Sequence, residues 1–215
     1  KFTDIKKETI INTDKATYLK NDEIIFTEGP TIAVIENKYN FKSEDVKFIK
    51  NNKELISDKK AIIEDEDGNT YELESFLYKI DKKILKGKEV NVYAKADNDD
   101  IDNYYFSEGI FDFKKKSFVA KNTKVKIHKE IFENSEQDPR VYGVSSFGNE
   151  KQTVIKKGIF TSCKITDKCP PWSIQSEKII HDKVKKDLIY ENAVLRMYDI
   201  PIIYFLKFFH PDPTV

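Results

Sequence analysis

The chain has 215 residues, in which 37 Lys and Arg balance 37 Asp and Glu, so its formal net charge is zero. A balanced charge gives no field that would attract nucleic acid or an anionic bilayer from a distance, and we do not expect nucleic-acid binding. Many lysines alternate with apolar residues, which is typical of solvated strand faces. The chain starts on the polar segment Lys1-Phe2-Thr3-Asp4 rather than on a signal peptide, which is typical of a cytoplasmic protein or of a mature or trimmed fragment.

A small hydroxyl side chain beside an acidic one recurs along the chain, in most cases about every thirty residues. An alternating apolar stretch precedes each such pair, and a turn and a second apolar stretch follow it. Units of two strands cannot bury their apolar faces alone, so the pattern predicts a stacked all-β array in which neighbours complete one core. Such an array indicates a scaffold rather than an enzyme. The pairs are Thr13-Asp14, Ser43-Glu44, Glu74-Ser75, Ser107-Glu108 and Ser176-Glu177.

Period-two alternation predicts the strands, and polar turn residues separate them. Signals for helices are almost absent, and we treat Gly29-Pro30 and residues 134–139 as loops inside one domain. The predicted turns are Asn21-Asp22, Asn51-Asn52, Asp67-Gly68-Asn69, Asp81-Lys82-Lys83, Lys114 to Lys116 and Lys183 to Lys186.

Aligning the predicted units superposes their apolar positions, which predicts a continuous apolar stripe along the stack. The stripe is either a filled core or an apolar groove held open between two β layers. Its residues are Ile32, Val34, Phe41, Leu73, Val90, Val92, Phe106, Val125, Ile127, Ile174, Leu195 and Met197.

No group of residues predicts catalysis or metal binding. The histidines His128, His181 and His210 have no nucleophile or acid at a catalytic spacing. The acidic run Asp65-Glu66-Asp67 falls in a turn without the further ligands of a calcium loop. We therefore expect no enzyme activity, cofactor or metal.

The last third of the chain carries a more specific pattern. Arg140-Val141-Tyr142-Gly143 precedes Thr161-Ser162-Cys163, and Trp172-Ser173 is followed by Pro201-Ile202-Ile203-Tyr204. In this order the segments resemble the LptD family of lipopolysaccharide-assembly proteins, formerly called organic-solvent-tolerance or OstA proteins. Over residues 1–139 the resemblance rests on the repeat pattern alone. The family usually has a proline where this chain has Leu206, which removes a strand breaker.

The resemblance implies an elongated β-jellyroll over residues 1–199, with two packed antiparallel sheets in a V shape and an open apolar groove. Residues 200–215 would begin the connection into a C-terminal outer-membrane β-barrel that is missing from this chain. The implied function is non-enzymatic lipopolysaccharide transport at the periplasmic face of the cell outer membrane.

The resemblance also implies partners. The groove would receive the acyl chains of lipopolysaccharide from the bridge protein LptA, which would dock by strand addition near Thr9 to Leu19. The lipoprotein LptE would associate through the barrel.

The two cysteines are compatible with an oxidising compartment. Cys163 corresponds to a family cysteine that is disulfide-bonded to the barrel, whereas Cys169 is not clearly a family position. A local Cys163–Cys169 disulfide is also possible, as are a reduced pair and a zinc half-site. We predict an oxidised state.

Two alternative functions fit the same repeat. A parallel β-helix enzyme acting on polysaccharide would also stack strand pairs, although the chain lacks a cluster of acids on one strand. A freestanding bridge jellyroll of the same transport pathway would share the mechanism but not the C-terminal segment.

Overall fold

In the computed structural model, residues 1–4, 9–95, 101–126, 138–164, 166 and 171–211 are described. They form seventeen strands and one 3-10 turn, so the predicted all-β class is confirmed. The predicted turns lie between strands. No helix in the described part of the chain is long and apolar enough to cross a membrane. The strands are β1 (Phe2–Asp4), β2 (Thr9–Leu19), β3 (Ile24–Ile35), β4 (Tyr39–Glu44), β5 (Lys47–Ile49), β6 (Glu54–Ser57), β7 (Ala61–Glu64), β8 (Thr70–Leu73), β9 (Ser75–Lys79), β10 (Ile84–Lys95), β11 (Ile101–Asp112), β12 (Ser117–Lys126), β13 (Arg140–Gly148), β14 (Gln152–Thr161), β15 (Trp172–Asp182), β16 (Asp187–Met197) and β17 (Ile200–Pro211).

The strands form an antiparallel meander of rows, where a row is one pass of the chain across the sheet. Some rows are a single long strand, and others are two short strands in line. For example, β4 and β5 together form one row along the same edge of β3. The strand β4 pairs with residues 30–35 of β3, and β5 pairs with residues 24–26. The strands β6 and β7 form the next row, and β8 and β9 the one after it.

The chain divides into two compact units. Unit 1 contains residues 1–95 and 108–115, and unit 2 contains residues 96–107 and 116–215. In unit 1 the pairings form a closed antiparallel circuit of eight strands, which runs β3, β5, β6, β9, β10, β8, β7, β4 and back to β3. This connectivity is that of a meander and does not by itself establish a jellyroll.

Rows are interrupted near their middle, and we call the line of these interruptions the crease. In unit 2, Asn122 and Val144 are skipped in the ladder between β12 and β13, and Glu177 and Asn192 are skipped between β15 and β16. The ladder between β16 and β17 omits Leu206 opposite Asn192. Each crease divides its unit into two half-sheets.

Buried hydroxyls satisfy backbone groups that the crease removes from the ladders. The Thr27 hydroxyl accepts a hydrogen bond from Val46 N–H at 2.8 Å and lies 3.2 Å from the Val46 carbonyl oxygen. The Ser57 hydroxyl donates to the Glu44 carbonyl oxygen at 2.7 Å. In unit 2, the Ser176 oxygen lies 2.7 Å from the Glu191 carbonyl oxygen and 2.8 Å from that of Lys178. Most of the hydroxyl-acid pairs seen in the sequence therefore mark creases inside rows.

The other recurring feature of the crease is a residue in the left-handed region. Gly29 has φ 76°, and its N–H donates to Asp45 Oδ1 at 2.8 Å. Non-glycine residues take this conformation in other rows, at Asp45, Glu89, Asn122, Lys157 and Asn192. A single residue in this region bends a strand and shifts its register, as in a β-bulge. The crease is therefore built from backbone conformation as well as from hydroxyl hydrogen bonds.

Aromatic side chains join the two half-sheets of unit 1. The ring of Phe41 in β4 lies 5.6 Å from that of Phe76 and 4.9 Å from that of Tyr78, although β9 shares no ladder with β4. Tyr39 stacks on Phe113 at 5.2 Å. These rings are inaccessible or nearly so, apart from Phe113. Burial raises the pKa of Tyr78 well above its usual range.

Replacement of Ser176 by Ala tests the crease. The Ser176 side chain is buried, and its loss leaves a buried carbonyl without its donor, so the free energy of unfolding should fall by about 1–3 kcal/mol. Urea denaturation measures this change. Ser145→Ala is the matched control, because the Ser145 hydroxyl makes no hydrogen bond to another described residue. Equal effects of the two substitutions would contradict a stabilising role for the crease hydroxyl.

Two Tyr→Phe substitutions in unit 1 should have opposite effects. The buried Tyr78 hydroxyl makes no hydrogen bond within the described residues, so Tyr78→Phe should leave stability unchanged or raise it by about 1 kcal/mol. The Tyr71 hydroxyl donates to Asp65 Oδ2 at 3.0 Å, and Tyr71→Phe should lower stability by about 1–3 kcal/mol. Thermal and urea unfolding compare the two, and a destabilised Tyr78→Phe variant would contradict the assignment.

Candidate functional site

The ladders of unit 2 align one apolar side chain from each of six strands on the same face of the sheet. We call these residues the inner line. Val125, Val141 and Phe160 belong to the core cluster of unit 2, and Ile174 packs against it. Because residues directly paired across a ladder point to the same face, the alignment follows from register alone. The inner line consists of Val125, Val141, Phe160, Ile174, Leu195 and Ile203.

Burial decreases along the inner line toward the last strand. Val125, Val141 and Phe160 are at most 9% exposed. Ile174 and Leu195 are half-buried, and Ile203 is 46% exposed. The apolar inner face of unit 2 is therefore closed at β12 to β14 and accessible at β15 to β17.

The second half-sheet of unit 2 supplies the opposite wall. The ring of Phe160 lies 6.3 Å from that of Tyr190 and 5.9 Å from that of His210. Phe205 and Phe208, on either side of the crease in β17, have ring centroids 5.5 Å apart. Both are only partly buried and pack against the core cluster. The accessible end of the inner face is consequently lined by aromatic rings.

His210 contributes an imidazole ring to this aromatic wall. Its Nδ1 lies 2.6 Å from the Pro211 carbonyl oxygen, which can only accept, so Nδ1 carries a proton. Its Nε2 lies 3.1 Å from the Tyr190 hydroxyl. In the neutral imidazole Nε2 therefore accepts from Tyr190, and the histidine fixes the orientation of a buried ring rather than facing a nucleophile.

The equivalent face of unit 1 is closed from β2 to β10. Its residues on these strands are buried. Tyr71 on this line is also held by its hydrogen bond to Asp65, and burial raises its pKa well above the usual range. This face is a filled core. The line consists of Ile11, Ala33, Phe41, Ile63, Tyr71 and Val92.

The residues of the predicted stripe fall in different places. Those in the buried interior are Phe41, Leu73, Val90, Val92, Phe106 and Val125, and those half-buried on the inner face of unit 2 are Ile174 and Leu195. Ile32 and Val34 alternate with the buried Thr31, Ala33 and Ile35, and so lie on the outer face of β3. Met197, near the end of β16, is exposed. Ile127 lies outside the described residues.

Several residues of the inner face of unit 2 were not predicted from the sequence. They are Phe160, Ile203, Phe205, Phe208 and His210. The run Ile200 to Phe209 is apolar at nearly every position, so alternation could not indicate which side chains face inward. Pairing with the alternating strand β16 resolves this ambiguity.

No disulfide is formed among the described residues, and the oxidised state expected for the full protein stays a prediction. Cys163 is a half-buried free thiol, and its Sγ lies 3.6 Å from the Trp172 carbonyl oxygen, the acceptor for its S–H. Cys169 lies outside the described residues. The backbone at Cys163 is fixed by the buried Arg140, whose guanidinium donates to the carbonyl oxygens of Asp138 and Cys163. Charge-assisted hydrogen bonds from Arg140 therefore hold this part of the chain.

No group of three or more His, Cys, Asp and Glu side chains in the described part of the chain is arranged to hold a metal ion. The acidic run Asp65-Glu66-Asp67 lies in the turn between β7 and β8. At the end of β15, the backbone N–H groups of Lys185 and Val184 lower the pKa of the Asp182 carboxyl group.

No family model matches this chain. No curated protein matches it either.

Binding of an apolar fluorescent dye tests whether the inner face is accessible. Leu195 lies on the inner line, whereas its neighbour Val194 points to the opposite face, and both are half-buried. Leu195→Asp should weaken dye binding about tenfold, because a carboxylate would then enter the apolar site. Val194→Asp is the matched control and should leave binding nearly unchanged. Equal dye titrations for the two folded variants would show that the dye binds elsewhere.

Proposed function

We propose that this chain carries the acyl chains of lipopolysaccharide on the inner face of unit 2, without catalysis. The decrease in burial along the inner line, from Phe160 to the 46% exposed Ile203, carries this proposal. A closed core needs no such opening. An apolar face that opens at one end can receive an apolar ligand from that end.

The chemistry of the face suits an acyl chain. Transfer of each methylene from water contributes about 0.8 kcal/mol, so a chain can be held without a specific hydrogen bond. Aromatic and aliphatic side chains provide the walls, through Phe205, Phe208 and Leu195. The sugar and phosphate groups of the ligand would stay in water, beyond the exposed Ile203.

The resemblance to the LptD family in residues 140–215 supports the same assignment. Under this proposal the creased meander is the jellyroll of lipopolysaccharide-transport proteins, at the periplasmic face of the outer membrane. The LptA-type bridge would add a strand at β2, where, within the described residues, β1 pairs with Thr9, Ile10 and Ile11. LptE would bind through a barrel beyond this chain.

Pairing direction favours this proposal over the polysaccharide-acting alternative. The ladders between described strands are antiparallel, as in β6 with β9 and β14 with β15. A parallel β-helix pairs its strands in parallel and aligns its catalytic acids on one of them.

Site-specific photocrosslinking to lipopolysaccharide tests the proposal directly. A photoreactive residue at Ile203 should crosslink, because this position lies on the inner line and is accessible. The same residue at Tyr204, which is 59% exposed on the opposite face, is the matched control and should crosslink much less. Absence of crosslinks from Ile203 in the folded protein, or equal yields at the two positions, would refute transport on the inner face.

A further inference from the structure

The outer face of one half-sheet of unit 2 carries a second apolar line. One residue from each of β12 to β17 contributes, and the five ladders place them side by side. Because strands are spaced about 4.8 Å apart, the line is about 24 Å long. We call it the outer stripe, and it consists of Val119, Phe147, Val154, Ile180, Ile189 and Phe209.

Strand alternation places the outer stripe on the face opposite to the interior of the half-sheet. The neighbouring residues Ser146, Ile155 and Ile179 are buried, so they face inward and the stripe faces outward. Val119 is 61% exposed and Phe209 is 65% exposed at its two ends. Between them Val154 is only 2% exposed, with Phe147 and Ile180 on either side. The stripe is therefore a coherent apolar band rather than scattered surface residues.

A line of six residues, four of them lysines, runs beside the outer stripe on the side of the crease, and we call it the lysine line. It lies two residues along each strand, or about 7 Å away. Its members are Lys121, Ser145, Lys156, Lys178, Glu191 and Lys207. Since the whole chain has no net charge, this concentration of lysines on one face is a local property.

Several of these lysines are available to a ligand. Lys178 is paired with Glu191 at 3.1 Å. In contrast, Lys156, Lys207 and the adjacent crease residue Lys157 make no ion pair with any described residue. Lys156, Lys157 and Lys178 also line a cleft of about 380 Å³ that crosses the crease, together with Glu177 and Glu191. Cationic groups and the apolar band thus share one surface.

We infer that this outer face binds the surface of a membrane rich in anionic phospholipid. An apolar band flanked by lysines matches the boundary between acyl chains and phosphate groups, with the band inserted and the lysines at the phosphates. The charge complementarity of the lysine line selects this occupant over a neutral apolar partner. The inference concerns the face opposite to the inner line and does not depend on the proposed lipopolysaccharide site.

Vesicle flotation with the full chain tests the inference. The chain should float with vesicles of phosphatidylglycerol and phosphatidylcholine, and much less with phosphatidylcholine alone. The double substitution Lys156→Glu with Lys157→Glu should lower binding to the anionic vesicles at least fivefold, because losing one lysine near an anionic surface already lowers binding about fivefold. The matched control is the double substitution Lys86→Glu with Lys88→Glu, at exposed positions of unit 1. It should change binding to anionic vesicles little.

The apolar component has its own variants. Phe209→Asp and Val119→Asp, both at exposed positions, should each lower anionic-vesicle binding about tenfold while the melting temperature stays unchanged. Leu195→Asp on the inner line should leave binding to anionic vesicles unchanged. This result would separate the vesicle test from the test of the proposed function.

Absence of binding to anionic vesicles would overturn the inference, as would equal loss in the lysine variant and its control. A chain that does not bind vesicles but self-associates would also overturn the inference, if Phe209→Asp abolishes the self-association. The outer stripe would then be assigned to contact with a second copy of the chain.

Discussion

The hydrogen bonds at the crease are the constraint on which the rest of the structure depends. A strand that bends sharply must leave backbone N–H and C=O groups out of its ladder, and these groups are costly to bury unpaired. Thr27, Ser57 and Ser176 supply partners where their rows bend. Left-handed residues such as Gly29 and Asn192 supply the bend itself. Without both, the rows would continue straight, and the aromatic rings of the two half-sheets would lose their contacts.

The two units use this construction with different results. In unit 1 the half-sheets are filled by large rings, with Phe41 against Tyr78 and Tyr39 against Phe113, and the interior is closed. In unit 2 the side chains toward β17 no longer meet an equally large set of partners, and Ile203 is accessible. The same backbone plan thus occurs with a closed core in one unit and with an accessible apolar face in the other.

The sequence predicted the strands and turns well because these depend on local pattern. Alternation at Tyr71 and Leu73 and turn residues such as Gly68 leave few other conformations. Where an apolar run is continuous, the sequence did not predict which side chains face the interior of the sheet. In Ile32-Ala33-Val34-Ile35, for example, both faces look apolar, and only the register with β2 and β4 places Ile32 and Val34 outside. The outer stripe was missed for a related reason, since its members are far apart in sequence and become neighbours only through five ladders.

The meander has a kinetic consequence. Every row of the described chain pairs with the row before or after it in sequence, so native contacts close short loops. Proteins with such low contact order fold faster than β proteins of the same size whose strands pair across the whole chain. Folding can then begin at any stable hairpin, such as β15 with β16, and extend row by row in both directions. A long all-β chain of this kind can fold progressively as it emerges during synthesis, before its last rows exist.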